Sequence, residues 1–464
     1  MSLQNNDKSS PLSNNGKDVF WRYLILSLTV IGILLVLNQV FYFGPFKYIM
    51  IFENSYLYLL LAIFCTLTFL LIPISKDDNA RKYFWLDCIL AVVTFVLFVF
   101  VSLHGHEIYV KGWGYHAPPH MTIISFILWA IVLEAVRRSS GNIMLAIVFV
   151  ASIYPMFAEY MPGILMGPGQ SASTTAVFHL LSFDSVLGIP IKVFANILVG
   201  FILFGVVLQA VGGGKWFLEL AYSMLGQRRG GPGKVAVLSC ALFGTISGSP
   251  MSNVVTSGSI TIPAMIETGF PPAKAAAFTT CAATGGVLMP PIMGAVAFIM
   301  ASHLGISYAD VALAAVIPSL LYYMSLFFQI DNYVLKYNLV ESGTDEIPTP
   351  IISTLKQGWA YILSFAVLIY VLFSLRMVSQ APFYATAVLL ALSAIQGKLK
   401  LKDITLLIIS TAKNLSTMVA LLAGIGMVMG SITMTGIAAT LSRELVLLAG
   451  GNTAVILILG ALAS

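Results

Sequence analysis

Apolar runs long enough to cross a membrane recur along this chain, and they limit its fold more than any other feature. A hydrocarbon core about 30 Å thick needs roughly 20 apolar residues in a helix. Such runs predict membrane-spanning helices near residues 20–42, 55–75, 84–103, 120–136, 142–160, 191–211, 273–302, 309–330, 358–376, 381–397 and 415–434. Only 9% of the residues are charged, whereas soluble domains carry about 25%. The chain is therefore predicted to be an all-α polytopic membrane protein.

The basic residues lie mainly between these runs, as topology signals do. Lys8, Lys17 and Arg22 precede the first predicted span, and Arg137 and Arg138 follow the fourth. The positive-inside rule then predicts a cytoplasmic N-terminus. The net charge of +5 is small for 464 residues, so no nucleic-acid partner is expected and the lipid bilayer is the expected surroundings.

The apolar runs and their polar connections divide the sequence into segments. These are a disordered cytoplasmic tail at 1–19, a four-helix membrane domain at 20–136, a connecting helix with an extracytoplasmic segment at 137–190, a first repeat at 191–330, a cytoplasmic loop with scaffold helices at 331–414, and an incomplete second repeat at 415–464. The extracytoplasmic part is weakly amphipathic and is expected to lie near the membrane interface.

Two stretches of the chain resemble each other. Residues 200–226 and 425–451 each contain an apolar span, a break rich in small residues and an amphipathic stretch, with Gly205 matching Gly430. The basic residues predict that the two copies cross the membrane in opposite directions. Inverted repeats of this kind are common in secondary transporters. Chance similarity between helices rich in Gly, Leu and Ala is the alternative.

Residues 244–261, GTISGSPMSNVVTSGSIT, interrupt an apolar region with small and hydroxyl side chains. A spanning helix does not gather glycine, proline and hydroxyl residues at its centre without a reason. The pattern predicts a re-entrant hairpin over 235–262, whose tip exposes backbone groups that can act as ligands.

A second interruption lies at 284–294, TGGVLMPPIMG. A Gly pair and a Pro pair cannot both lie in an unbroken helix, so a broken helix is predicted over 273–302. Free carbonyls at the end of its first half suit a small cation, and free amides at the start of its second half suit an anion.

Few charged groups accompany these interruptions. From 235 to 303 the only acidic, basic or histidine residues are Glu267, Lys274 and His303. A proton relay normally needs a titratable group inside the membrane, so the pattern favours Na⁺ held by oxygen ligands over H⁺. Close packing of helices through small residues is the alternative reading of both motifs.

Three stretches, SGSPMSNVVTSGSITIP, TGGVLMPPIMGAVAFIMA and LGISYADV, resemble the fused permease subunits of tripartite ATP-independent periplasmic (TRAP) transporters. The resemblance runs from about residue 120 onward and is best to the branch served by the TAXI type of periplasmic substrate-binding protein. The four N-terminal spans resemble the small membrane subunit. The family implies a bacterial inner-membrane protein and an elevator-type secondary transporter, in which Na⁺ and a small organic anion bind between hairpins and broken helices.

The resemblance also implies particular site residues. A Na⁺ site would be formed by Ser247, Gly248, Ser249, Asn253, Gly285, Gly286, Met289 and Pro290, and substrate contacts by Asn253, Thr256, Ser257 and Thr284. Many relatives carry a polar residue where Val287 stands, so no substrate role is expected at that position. The second hairpin and second ion site would follow Ser464, so the chain is expected to be partial.

Other functional classes share parts of this pattern. A channel is the main alternative, because re-entrant loops also build selectivity filters, and a structural or regulatory membrane protein is a third class.

Four histidines on one predicted outer loop, His104, His106, His116 and His120, lack the acidic partners typical of a metal site. The GGGKW and GGPGKV sequences lack the spacing of a phosphate loop. The sequence thus predicts neither an enzyme nor an ATP-driven pump.

Overall fold

The computed structural model describes residues 16–41, 52–74, 84–248, 250–339, 350–398 and 401–463, and the regular elements in these ranges are all helices. The chain forms two compact units. Unit 1 comprises residues 1–35, 42–195 and 412–464, and unit 2 comprises residues 36–41 and 196–411. Each unit has its own buried core.

The first seven helices belong mainly to unit 1. They are α1 (Gly16–Phe41), α2 (Glu53–Leu71), α3 (Phe84–Leu103), α4 (Gly105–Val110), α5 (Pro119–Ile153), α6 (Ala172–Leu181) and α7 (Ile189–Val193). Helix α2 is apolar on all sides and almost wholly buried, as expected for a helix at the centre of a bundle. The hydroxyls of Tyr56 and Tyr58 donate from α2 to the carbonyls of Ala195 and Leu180.

The predicted fourth and fifth spans lie in one helical run, α5, which is kinked between them. The run contains a single non-helical residue, Gly141, with φ 85° and ψ 179°. The side chains just before this residue are paired. Arg137 donates to Glu134 twice at 2.7 Å, and Arg138 donates to the buried Asp87 at 2.6 Å.

The segment predicted to lie near the membrane interface contains helix α6, which is largely buried in unit 1. His179 on α6 lies between two serines. Its Nε2 is 2.9 Å from the carbonyl of Ser152, which can only accept, so Nε2 donates and Nδ1 accepts from the Ser185 hydroxyl at 2.8 Å. This pairing allows a polar side chain to be buried in the helix.

The next ten helices belong to unit 2. They are α8 (Val199–Ala210), α9 (Gly213–Leu225), α10 (Gly231–Ser247), α11 (Pro250–Glu267), α12 (Pro272–Gly285), α13 (Ala295–Leu304), α14 (Tyr308–Tyr337), α15 (Ile351–Gln357), α16 (Trp359–Ile369) and α17 (Ala381–Ile395). A core of small and apolar side chains joins α10, α11, α12 and α14, and includes Cys240, Met265, Ala283 and Ile330.

Helix α14 extends beyond the predicted span, into residues that were assigned to the cytoplasmic loop. Asp331 lies within the helix, 2.5 Å from the Nζ atom of Lys234 on α10. The helix ends only where Asn338 adopts a left-handed conformation. The rest of the predicted loop at 340–349 lies outside the described residues.

The last three helices are α18 (Leu401–Thr435), α19 (Ile437–Leu448) and α20 (Thr453–Ala463). Their order matches that of α8, α9 and α10. A left-handed glycine separates the first two helices of each set, Gly212 with φ 92° and Gly436 with φ 70°. This local similarity agrees with the repeat seen in the sequence, while the opposite orientation of the copies stays a prediction.

Within the described residues, seven helices are long and apolar enough to cross a membrane. A bent pair, Ile351–Gln357 with Trp359–Ser374, can form an eighth span with an angle of 70° between its parts. Shorter apolar helices include Gly231–Ile246 and Ala295–Leu304, which contribute to the two predicted interruptions. The chain is a multi-pass membrane protein.

Candidate functional site

The first predicted interruption is a helical hairpin formed by α10 and α11. The chain reverses at Gly248, whose φ of 53° lies in the left-handed region that favours glycine. Pro250 then starts α11, a helix position at which proline is well tolerated because the first N–H groups are unpaired anyway. The turn is therefore much shorter than the polar run at 244–261, most of which is helical.

The second predicted interruption is an unwound segment, defined here as residues 286–294, between α12 and α13. Its first part consists of tight turns, in which the amides of Val287 and Leu288 donate three residues back. The Pro290-Pro291 peptide bond is cis. Gly294 closes the segment by donating to the carbonyl of Val287 at 2.9 Å.

The hairpin tip and the unwound segment lie in direct contact. A Cβ atom placed on Gly244 would be 2.3 Å from the Cα atom of Gly286. A Cβ atom placed on Gly248 would be 2.8 Å from the carbonyl oxygen of Met293 and 3.4 Å from the Cα atom of Gly294. Only glycine allows backbones to approach this closely. The structure thus brings the two sequence motifs together.

Asn253 lies on α11 at this contact and is fully buried. Its Nδ2 donates to the carbonyl of Cys240 at 2.9 Å and to that of Ala283 at 3.4 Å. Its Oδ1 is buried and has no hydrogen-bond partner among the described residues. An unpaired buried acceptor of this kind costs about 1–3 kcal/mol, and a bound cation would satisfy it. The side chain therefore fits a Na⁺ ligand.

Two carbonyls near the end of α12 accept hydrogen bonds from tyrosine side chains. Tyr322 and Tyr323, on α14, donate to the carbonyls of Cys281 and Ala282 at 2.8 and 3.2 Å. The carbonyl of Ala283 already accepts from the Asn253 side chain. A carbonyl oxygen carries two lone pairs, so a hydrogen bond from a side chain does not exclude it as a cation ligand, and the Asn253 amide oxygen beside these carbonyls has no hydrogen-bond partner among the described residues.

The three other hydroxyl side chains predicted to contact substrate do not converge on the tip. The methyl group of Thr256 packs near Gly214 on α9, and Ser257 Oγ lies 2.6 Å from Ser239 Oγ, which joins the two arms of the hairpin. Thr284 is exposed and its hydroxyl donates to the carbonyl of Thr280. Thr256 and Ser257 therefore contribute to packing between helices.

The remaining predicted residues have different surroundings. Gly285 packs against α14, since a Cβ atom there would lie 2.4 Å from the Tyr322 ring. Met289 packs against the core of unit 2, and Pro290 is in the unwound segment. Ser249 and the side chain of Ser247 lie outside the described residues.

Sequence reasoning missed three tyrosines that contact the broken helix: Tyr308, Tyr322 and Tyr323. Tyr308 lies in the stretch LGISYADV, and the resemblance of this stretch to the transporter family is the sequence feature that could have pointed to it. The predicted outer-loop histidines do not form a metal site in the described part of the chain, where no group of three or more His, Cys, Asp or Glu residues could hold an ion.

The helices define an all-α polytopic membrane protein in which a helical hairpin packs against a broken helix. Residues 127–464 match the family described as "Tripartite ATP-independent periplasmic transporter, DctM component". This match covers most of the sequence, so the chain belongs to that family, whose members are transporter components.

Several relatives share part of the sequence. The protein y4mL of Sinorhizobium fredii is 28% identical over 208 residues, 45% of this chain and 44% of the relative. The C4-dicarboxylate TRAP transporter large permease protein DctM of Pseudomonas aeruginosa is 33% identical over 160 residues, 33% of this chain and 36% of the relative. The isethionate TRAP transporter permease protein DctMQ of Oleidesulfovibrio alaskensis is 31% identical over 179 residues, 37% of this chain and 27% of the relative. The matches thus span less than half of each relative.

Proposed function

We propose that the chain is the permease of an ion-gradient-driven importer of small organic acids, with Na⁺ as the coupling ion. The observation that carries this proposal is the buried, unpaired Oδ1 of Asn253, beside the contact between Gly244 and Gly286. A small hard cation is bound by oxygen ligands of this type. The backbone carbonyls of the unwound segment supply further ligands of the same kind.

Sodium is favoured over protons by the charges near the site. Glu267, Lys274 and His303 are the only acidic, basic or histidine residues between 235 and 303, and all three are exposed. Asn253 does not titrate, so it can bind a cation at any physiological pH but cannot carry a proton. Coupling to H⁺ remains the second candidate, because relay groups elsewhere in the protein would also serve.

The substrate class follows from the relatives and from the second half of the broken helix. Two relatives carry names that specify C4-dicarboxylates and isethionate, which are both organic acids. In this chain α13 starts at Ala295 with no side-chain cap, and helix N-termini of this kind favour anionic groups. We infer a small organic anion that binds beside the ion, with Asn253 and Thr284 as the candidate side-chain contacts.

The motif resemblance extends the proposal to partners and motion. A periplasmic substrate-binding protein of the TAXI type would deliver the anion to a permease in the bacterial inner membrane, with the N-terminus in the cytoplasm. The hairpin and the broken helix would move together in an elevator-type transition. Their contact through glycines, with almost no space for a side chain, supports movement as one body.

The test is uptake by the full-length protein reconstituted in proteoliposomes with its cognate binding protein. An inward Na⁺ gradient should drive saturable uptake of an organic acid, and omission of the binding protein should abolish it. A conductance that needs neither the gradient nor the binding protein would favour a channel, and uptake driven only by a proton gradient would favour H⁺ coupling.

A further inference from the structure

The unwound segment leaves backbone groups that a continuous helix would have paired. The hydroxyl of Tyr308 contacts two of them, donating to the carbonyl of Pro291 at 2.7 Å and accepting from the amide of Met293 at 3.2 Å. One side chain thus bridges the backbone on both sides of Ile292. Because the hydroxyl both donates and accepts a hydrogen bond, it constrains the backbone conformation of residues 291–293 more than a single hydrogen bond would.

The Tyr308 ring is itself held from two directions. It is the first residue of α14, where the hydroxyl of Ser307 accepts from the amide of Ala309 and caps the helix. Its ring stacks on that of Phe298 on α13, with centroids 3.9 Å apart and an angle of 6° between the planes. Only 3% of Tyr308 is exposed. The position of its hydroxyl is therefore set by two helices.

The same contact reaches the hairpin tip through Met293. While the amide of Met293 donates to Tyr308, its carbonyl oxygen lies against Gly248, where a Cβ atom would be 2.8 Å away. A change in the path of the chain at Met293 would therefore change the surface that meets the tip.

We propose that Tyr308 is a positioning residue for ion binding, which holds the unwound segment in the conformation that receives the cation. The proposal rests on the proposed function, since it assumes that a cation binds at this contact. Tyr308 does not touch the ion in this account. Its hydroxyl acts only through the backbone of residues 291 and 293.

The test is Tyr308→Phe in the full-length protein, which removes the hydroxyl and keeps the stacked ring. The Na⁺ concentration for half-maximal uptake should rise about fivefold to thirtyfold, as expected for the loss of the two neutral hydrogen bonds of the hydroxyl. The maximal rate at saturating Na⁺ should stay within about twofold of wild type, because the site still forms when Na⁺ is in excess. A purely structural role would lower the amount of active protein without changing the half-maximal Na⁺ concentration.

Tyr361→Phe is the matched control. The Tyr361 hydroxyl also donates at 2.7 Å to a carbonyl at a helix end, that of Val211, and it lies in the same unit but away from the unwound segment. It should leave the Na⁺ dependence unchanged. Equal Na⁺ dependence in Tyr308→Phe and wild type, or an equal shift in the control, would overturn the proposal.

Two further outcomes are separable. If the wild-type protein takes up substrate without any Na⁺ dependence, the proposed function fails before Tyr308 is tested. If Tyr308→Phe is not recovered from membranes, Phe298→Leu replaces it, since this change loosens the ring and keeps the hydroxyl. It should raise the half-maximal Na⁺ concentration in the same direction, and an unchanged value would count against the role of Tyr308.

Discussion

Gly244 on the first arm of the hairpin packs against Gly286 at the start of the unwound segment, so closely that a Cβ atom on Gly244 would lie 2.3 Å from the Cα atom of Gly286. The atom that the new Cβ would meet belongs to the backbone, which cannot move aside through a change of rotamer as a side chain can. Gly244→Ala should therefore force the two elements apart, at a cost of about 1–3 kcal/mol for overpacking. We expect a lower melting temperature in detergent and a large loss of uptake.

Gly460→Ala is the control for this prediction. Gly460 is also in a helix, but a Cβ atom there meets nothing within 4 Å, and alanine favours a helix over glycine by about 1 kcal/mol. The control should melt at the wild-type temperature or slightly above it. Wild-type stability and uptake in Gly244→Ala would contradict the close contact.

Asn253→Ala removes the unpaired amide oxygen and both hydrogen bonds from its Nδ2. A hydrogen-bonding or ligating contact to a charged group contributes about 1.5–3 kcal/mol, so Na⁺ should bind about tenfold to hundredfold more weakly. Uptake at limiting Na⁺ should be abolished, while the protein should still insert into the membrane. Uptake in proteoliposomes at several Na⁺ concentrations measures this.

Ser259→Ala is the matched change on the same helix. Ser259 is exposed and donates only to the carbonyl of Thr256 within α11, so its loss should leave uptake near the wild-type level. If both variants transport normally, Asn253 is not a ligand and the site assignment fails.

In unit 1, the buried pair of Arg138 and Asp87 should matter for stability. The side chains are 0% and 1% exposed, and Arg138 Nη1 lies 2.6 Å from Asp87 Oδ1. Asp87→Asn removes the fully buried partner of the guanidinium and leaves it Glu134, whose Oε1 lies 2.8 Å from Arg138 Nε. Breaking a buried pair typically costs about 3–5 kcal/mol, and the remaining carboxylate places the expected cost at the lower end of that range. We expect a strong loss of folded protein, measured by thermal unfolding in detergent.

The exposed pair of Lys111 and Glu107 provides the comparison. Its side chains are 55% and 48% exposed and 3.2 Å apart, and exposed pairs contribute about 0–1 kcal/mol. Glu107→Gln should therefore unfold close to the wild-type temperature. Equal effects of Asp87→Asn and Glu107→Gln would show that burial of the first pair has no energetic consequence.

The positions of the two interruptions could be predicted because local chemistry determines them. Gly248 can adopt the left-handed turn and the prolines of the unwound segment cannot donate helical hydrogen bonds. The length of the first turn could not be predicted, since serine and threonine in a helix can donate to their own backbone. Ser259 and Thr261 do so, and α11 continues through the polar run.

The contacts of individual side chains depend on packing between distant parts of the sequence. Ser257 and Thr256 are neighbours in the chain, yet the first contacts the other hairpin arm and the second lies near α9. The Tyr308 hydroxyl contacts the backbone of Pro291 and Met293, although the whole of α13 lies between these residues and Tyr308 in the sequence. The composition of a segment predicts that its backbone is interrupted, but only the fold determines which side chains pair with the freed groups.

The central claim is that the hairpin tip and the unwound segment bind Na⁺ through Asn253. The most direct measurement is the melting temperature of the purified full-length protein as Na⁺ replaces K⁺ at constant ionic strength. A ligand that binds only the folded protein at 100 times its dissociation constant stabilises it by about 2.7 kcal/mol. We predict that Na⁺ raises the melting temperature of wild type and of Ser259→Ala clearly more than that of Asn253→Ala. Equal melting temperatures of wild type in Na⁺ and K⁺, or an equal rise in Asn253→Ala, would contradict the claim.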